Sequence, residues 1–187
     1  MNIRRMGVVL ALAALVLGTA AAEAGEVRLP AARSAVITDP SSGGVRELVA
    51  FAAEPGQFRG QFVVSAFLEI PVAADTELRE IDLELVEPTR SWMTATWTAP
   101  WSRPGGDFEL DDGVALTIQT GEAATLRVNV TDLIRDAVED GRPPNGFLLL
   151  PGRTTDRAGF TGDEAVRLRT GEAELIVRTR RVPRART

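Results

Sequence analysis

The sequence predicts an all-β protein, an antiparallel β-sandwich that carries one short α-helix at about residues 131–140. Short segments of strand-like composition follow one another through most of the chain, with Gly, Pro, Asp and Asn clustered between them as turn signals. One segment has helical periodicity instead. No internal repeat or long linker interrupts this pattern, so the 187 residues are expected to form one domain.

Eight segments are predicted as strands, at 45–53, 61–70, 77–86, 92–99, 114–119, 124–130, 146–150 and 173–178. The clearest pattern is that of 77–86, where Ile81, Leu83 and Leu85 alternate with acidic residues such as Glu84. Successive side chains of a strand point to opposite faces of its sheet. The apolar side of this strand is therefore expected to be buried and the acidic side exposed.

The helical segment follows the strand at 124–130. Apolar residues recur in it at helical spacing, at Leu133, Ile134, Ala137 and Val138. Thr131 is placed to cap the N-terminus, and Asp132 suits the positive end of the helix dipole. Gly141 suits the position just after the helix, where the backbone often turns left-handed. The expected helix is therefore about three turns long or less.

The first residues have the layout of a secretory signal peptide. Arg4 and Arg5 precede the apolar run 6–17, and small residues then offer a cleavage site after Ala22 or, alternatively, after Ala24. An uncleaved anchor is the other interpretation, but twelve strongly apolar residues are short for a span that needs about 20. The protein is therefore expected to be secreted or periplasmic, without a transmembrane span after cleavage.

The expected division of the chain is a signal peptide at 1–22, one sandwich domain at 26–180 and a basic tail at 181–187. Residues 178–186 hold five arginines and no acid. The tail is interpreted as a solvated chain end, and the alternative is contact with an anionic envelope surface or polysaccharide.

Composition excludes many kinds of active site. All 21 basic residues are arginine, and the chain has no lysine, histidine, cysteine or tyrosine. A Ser-His triad, a thiolate nucleophile and a lysine Schiff base are therefore ruled out. Paired carboxylates remain available for glycoside hydrolysis, but a small sandwich rarely offers the deep cleft that this reaction needs. We expect no enzyme activity.

Net charge argues against nucleic acid as a partner. The chain carries a formal charge of −5, and removal of residues 1–22 takes away two arginines and no acid, which leaves −7. A protein that binds the phosphate backbone needs a basic face instead.

Several motifs together resemble those of the DNRLRE-type domain, over residues 26–180. They are FLEIP at 67–71 with LREIDLEL at 78–85, SW at 91–92 with ATWTAPW at 95–101, VNVTDLI at 128–134 with PNGFLLL at 144–150, and GDEA at 162–165 with AELIV at 173–177. The resemblance implies a jelly-roll β-sandwich, related to carbohydrate-binding-like modules and TGF-β-propeptide-like folds. It also implies an exported bacterial protein of a kind that sometimes binds polysaccharide.

Tryptophans supply the first candidate site. Trp92, Trp97 and Trp101 are all the tryptophans of the chain, and flat aromatic rings can stack on sugar rings. The alternative is that they pack in the core or along its edges, as large aromatic side chains usually do. The best exposed candidate is Trp101 with Arg103 and Asp107 in a turn-rich loop. The predicted ligand-binding residues are therefore Trp92, Trp101, Arg103 and Asp107.

An acidic loop supplies a weaker candidate, for calcium. Asp107, Asp111 and Asp112 bring several carboxylates close together, and Ca²⁺ prefers six to eight oxygen ligands. The loop has no EF-hand spacing, so a solvated acidic loop is the favoured interpretation. No other cofactor is expected.

These observations predict an exported, non-catalytic β-sandwich module that binds polysaccharide or a cell-surface glycan. The alternative is a structural or assembly protein that contacts other proteins at the cell envelope. No nucleic acid is expected as a partner.

Overall fold

A computed structural model of the chain describes residues 24–54, 56–74, 80–89, 92, 94–108, 113–119, 124–141, 146–152, 159–160 and 168–181. The strands are β1 (Ala24–Thr38), β2 (Val45–Phe51), β3 (Gln61–Val72), β4 (Glu80–Val86), β5 (Val114–Gln119), β6 (Ala124–Asn129), β7 (Phe147–Pro151) and β8 (Glu174–Arg181). The helices are α1 (Thr131–Glu139) and a short 3-10 helix (Thr170–Glu172). The predicted signal peptide and residues 182–187 of the tail lie outside the described residues.

The strands follow one another side by side in the order β5-β4-β7-β2-β1-β8-β3-β6, and all of these pairs are antiparallel. One half of the sandwich is the sheet β1-β8-β3-β6 and the other is β2-β7-β4-β5, which is the strand arrangement of a jelly roll. The end strands β5 and β6 approach each other, so the folded sheet is nearly closed. The predicted fold class, an antiparallel jelly-roll sandwich with one short helix, is confirmed.

Strand β1 connects the two halves, and the strand pattern did not predict it. Its first half pairs with β8 through Pro30, and its second half pairs with β2 from Ala31 onward. An irregularity between Ala31 and Arg33 marks the point where the strand passes from one sheet to the other. Pro30 and the small residues after it interrupt the alternation of apolar and polar residues by which the other strands were predicted.

The main core lies between the sheets. Ile81, Leu83 and Leu85 are buried there, so the predicted inward side of β4 is confirmed. The opposite side was expected to be exposed, but Glu84 is also buried. That expectation is wrong for Glu84 because further chain covers the outer face of this sheet.

The cover is the tryptophan loop, defined as residues 88–108 between β4 and β5. It closes on itself through a bridge between Pro88 and Phe108. A second apolar cluster lies beneath it, formed by Ile37, Leu48, Val86, Trp92, Trp101, Leu148 and Leu150. The predicted strand at 92–99 is wrong, because its described residues form bends and turns and bury Trp92 against a sheet face instead of pairing.

Helix α1 spans Thr131–Glu139, close to the predicted bounds, and packs on β3. Gly141 follows it with φ +69°, in the left-handed conformation expected for that position. Thr131 is not the cap that was predicted. Val130 holds the cap position without a side-chain bond, while the Thr131 hydroxyl accepts a hydrogen bond from the Ala66 backbone N–H at 2.9 Å.

Among the described residues, no helix is both long enough and apolar enough to cross a membrane.

Candidate functional site

Both predicted tryptophan ligands are buried. Trp92 is 3% exposed and Trp101 is 7% exposed, and each packs in the apolar cluster under the tryptophan loop. The Trp101 indole N–H donates to the Thr96 carbonyl at 2.9 Å, so its polar atom is bonded within the loop. The expectation that Trp101 is exposed is therefore wrong, and the packing alternative describes both residues.

Asp107 is also buried, where the sequence placed it in an exposed loop. Its carboxylate accepts hydrogen bonds from the Ser102 backbone N–H at 2.8 Å, the Ser102 hydroxyl at 2.8 Å and the Arg103 backbone N–H at 3.0 Å. Buried carboxylates need such donors because desolvation penalises their charge. Asp107 therefore stabilises the conformation of the tryptophan loop through hydrogen bonds within the loop.

The other calcium candidates, Asp111 and Asp112, lie outside the described residues. Within the part of the chain that the structure describes, no group of three or more acidic residues is arranged to hold a metal ion.

Arg103 is the exposed member of the predicted site. Its guanidinium donates to the Phe108 carbonyl at 3.2 Å and lies 6.0 Å from the centre of the Phe108 ring. The four predicted ligand residues thus share one loop, but they do not form one exposed surface.

Arg46 in β2 is a residue whose role the sequence did not indicate. Its guanidinium lies 4.9 Å from the centre of the Trp97 ring and 5.7 Å from that of Phe108. It also donates to the Gly105 carbonyl at 2.7 Å. Arg46 therefore ties the tryptophan loop to the sheet, across 59 residues of chain.

Arg46→Ala is expected to lower the free energy of unfolding by about 2–3 kcal/mol, since it removes two cation–π contacts and a charge-assisted hydrogen bond. Chemical denaturation followed by tryptophan fluorescence measures the change. Arg59→Ala, at an exposed position in the turn before β3, is the control and should stay within about 0.5 kcal/mol of the wild type. Equal losses in both variants would contradict the role given to Arg46.

The outer face of the other sheet has a different character, and we call it the open face. It is formed by side chains of β1, β8, β3 and β6 that point away from the core, namely Glu26, Arg28, Phe62, Phe67, Glu69, Arg127, Glu174, Arg178 and Arg180. The side chains of Arg28, Arg127 and Arg178 are each more than half exposed. Solvent therefore reaches this face across three of its strands.

Ion pairs run across the open face. Arg28 contacts Glu26 at 3.1 Å and Glu174 at 2.7 Å, and Arg178 contacts Glu26 at 2.8 Å. Hydrogen bonding from Arg178, with the charges of both arginines, lowers the pKa of Glu26 from its ordinary value. The pairs are exposed, so they order the side chains more than they stabilise the fold.

Two phenylalanine rings lie beneath arginines on the same face. The Arg127 guanidinium is 4.3 Å from the centre of the Phe67 ring, and Arg127 also pairs with Glu69 at 3.6 Å. The Phe62 ring has Arg180 at 4.8 Å. Stacked guanidinium groups keep their N–H donors at the edge of the plane, where hydroxyl or carboxylate groups can reach them.

A cleft of about 320 Å³ lies beside the beginning of α1. Its lining includes Asn129, whose side-chain oxygen accepts hydrogen bonds from the Thr131 backbone N–H at 3.0 Å and hydroxyl at 2.5 Å. Asp132, also in the lining, pairs with Arg135 at 2.8 Å. These polar side chains therefore bond to groups of the protein itself.

One carboxyl group lies inside the sandwich. Glu47 in β2 is 2% exposed and accepts a hydrogen bond from the Thr170 hydroxyl at 2.7 Å. Burial raises the pKa of Glu47 to about 7, although the bond from Thr170 acts in the opposite direction. A carboxyl so enclosed has no route to a polymeric substrate.

The open face is not recognisable from sequence until strand partners are known. Its one local signal is the outward side of β8, where Arg178 and Arg180 share the parity of Glu174 with Ile176 between them. Arg127 of β6 faces the same way.

No protein-family model matches the chain, and no curated protein matches it. The likeness to DNRLRE-type domains therefore stays a prediction from the motifs.

Proposed function

We propose that this protein is an exported, non-catalytic carbohydrate-binding module that holds a polysaccharide on its open face. The observation that carries the proposal is the pairing of partly exposed phenylalanine rings with arginine donors on one uncovered sheet face. Sugars present apolar C–H faces and hydroxyl groups side by side, and recognition needs both kinds of partner.

The contrast between the two outer faces supports this choice. The tryptophan loop covers the face of β2, β7 and β4 and occupies its apolar side chains. Arg127 over Phe67 has no such cover and lies toward the β6 edge of the open face, where β3 pairs with the end strand β6. A linear chain of sugars can lie along such a face without a cleft.

The absence of four common catalytic residue types supports a binding role. The sequence has no histidine, cysteine, lysine or tyrosine, and the enclosed Glu47 cannot reach a ligand on the open face. Export and the DNRLRE likeness belong to the same proposal. Strand β1 begins at Ala24, so signal cleavage after Ala22 would leave this strand complete.

Phe67→Ala is expected to weaken polysaccharide binding roughly tenfold, since it removes the ring under Arg127. Affinity electrophoresis of the exported chain in gels with neutral and acidic polysaccharides measures the effect. Arg127→Gln is a second probe of the same contact. The matched control is Val36→Ala, which removes an apolar side chain that is 60% exposed on the part of β1 paired with β2.

Equal mobility of the wild type and Phe67→Ala in every gel would overturn the proposal. A saturable protein partner from the envelope, bound with no polysaccharide binding, would favour the alternative of an assembly protein. Circular dichroism and unfolding curves of each variant must match those of the wild type, so that a lost contact is not confused with lost structure.

A further inference from the structure

We infer that the ligand of the open face is an acidic polysaccharide, and that a carboxylate or sulfate of it binds at a basic corner formed by Phe62, Arg135 and Arg180. This inference rests on the proposed function. It names the class of polysaccharide and the side chains that select it.

The geometry of the basic corner brings two cations to one ring. Phe62 and Arg180 are directly paired across β3 and β8, and the Arg180 guanidinium carbon lies 4.8 Å from the ring centre. Arg135 approaches from α1, with its guanidinium carbon 5.4 Å from the same centre. The two guanidinium carbons are therefore at most about 10 Å apart, so at about 0.1 M salt both charges act on an anion bound beside the ring.

The corner carries one arginine, Arg180, more than its carboxylates neutralise. Arg28, Arg127 and Arg178 each pair with a carboxylate of the open face. Arg180 is exposed and has no carboxylate partner among the described residues. The guanidinium of Arg180 packs on the Phe62 ring, and its N–H donors remain available to an anion.

Arg135 is only partly satisfied. Its one ion pair is with Asp132, whose side chain is 89% exposed, so solvent screens that contact strongly. Its Nε atom is buried without a hydrogen-bond partner in the described structure. Nε lies below the surface, and Nη2 of Arg135 donates to the Val63 carbonyl at 3.5 Å. An anion at the corner would therefore bond directly to Arg180, and Arg135 would add its charge from beside the ring.

The charge of the whole chain gives the corner its selectivity. The exported chain without residues 1–22 carries a formal charge of −7, so an acidic polymer is repelled by most of its surface and attracted where arginine is in excess. Arg181 ends β8 one residue after Arg180, and the sequence continues with two further arginines and no acid. Within the described residues, arginine is therefore in excess at the end of β8.

The test uses two polymers with the same backbone, polygalacturonate and its fully methyl-esterified form, which has lost the charge. The wild type should bind polygalacturonate at least tenfold more tightly, and this preference should weaken as salt is raised from 50 to 300 mM. Arg180→Gln should lose most of the preference while it binds the ester as the wild type does. Arg135→Gln should show the same selective loss.

The matched control is Arg169→Gln, which removes an exposed arginine beside the end of β3, far from the basic corner. It should bind both polymers as the wild type does. Unfolding curves for Arg180→Gln should match the wild type, because the side chain is exposed.

The outcomes separate the two proposals. Equal binding of the ester and the acid, or an unchanged preference in Arg180→Gln, would overturn the acidic corner and leave the carbohydrate module standing. No binding to any polysaccharide would overturn both. Binding to phosphatidylglycerol vesicles with the same dependence on Arg180, at an affinity equal to that for polygalacturonate, would show a general anion site and overturn the choice of polysaccharide.

Discussion

Glu47→Gln should make the protein more stable than the wild type at pH 8, by up to about 3 kcal/mol, and change its stability little at pH 4.5. Glu47 faces the core between the inward residues Val45 and Val49 of β2. Burial there raises its pKa from 4.5 to about 7. The neutral amide of glutamine needs no such protonation and can accept the hydrogen bond from Thr170.

The direction of the pH effect follows from the two pKa values. The folded pKa of Glu47 is higher than the unfolded one, so the stabilising effect of the neutral carboxyl is fully present below pH 4.5. It is lost as the pH rises through about 7, because the unfolded chain releases this proton more easily than the folded chain. In the wild type this residue therefore lowers the free energy of unfolding across that range.

Urea denaturation of both proteins at pH 4.5, 6, 7 and 8 measures the difference. Comparison with the wild type at each pH removes the contributions of the other carboxyl groups, which both proteins share. Glu139→Gln, the same change at the exposed end of α1, is the control. A difference between Glu47→Gln and the wild type that stays constant with pH would show that Glu47 is ionised normally in the fold.

Trp101→Ala should lower the free energy of unfolding by about 3–5 kcal/mol, the usual cost of emptying the space of a large buried aromatic side chain. The indole is buried between the tryptophan loop and the sheet and also donates to Thr96. Trp101→Phe keeps most of the apolar contact and should cost about 1–2 kcal/mol.

Denaturation curves at one pH measure both substitutions. Thr98→Ala, an exposed change in the same loop, should have little effect. Polysaccharide binding by the folded Trp101→Phe variant should equal that of the wild type, since Trp101 packs against the sheet opposite the open face. Weaker binding by a Trp101→Phe variant of unchanged stability would instead show that Trp101 takes part in ligand binding.

Side-chain periodicity predicted the elements that depend on local pattern. Ile81, Leu83 and Leu85 are inward as their spacing indicated, and the helix begins at Thr131 and ends near the expected turn. Side-chain periodicity depends only on consecutive residues, so it can be read from the sequence without knowing which element the strand packs against. Strand β1 did not show such a period, because its two halves belong to different sheets and change faces at the irregularity after Ala31.

The candidate site was far less predictable, for a reason that the tryptophans illustrate. Trp92 and Trp97 have the composition of a strand, but strand propensity largely measures how well a side chain fits a half-buried surface. Both tryptophans are half-buried or buried without forming a strand, because they pack on the outer face of the sheet. Arg46 of β2 contacts the Trp97 ring there. Nothing near residue 97 in the sequence indicates that partner.

The sequence by itself determined that the chain forms an antiparallel β protein with one helix, and its composition removed most catalytic chemistry. Only the tertiary structure decided which sheet face is covered and which is open. The physical reason is that each face is assembled from strands far apart in the chain, such as β1 and β8. The corner of Phe62, Arg135 and Arg180 exists only because β3, α1 and β8 meet there.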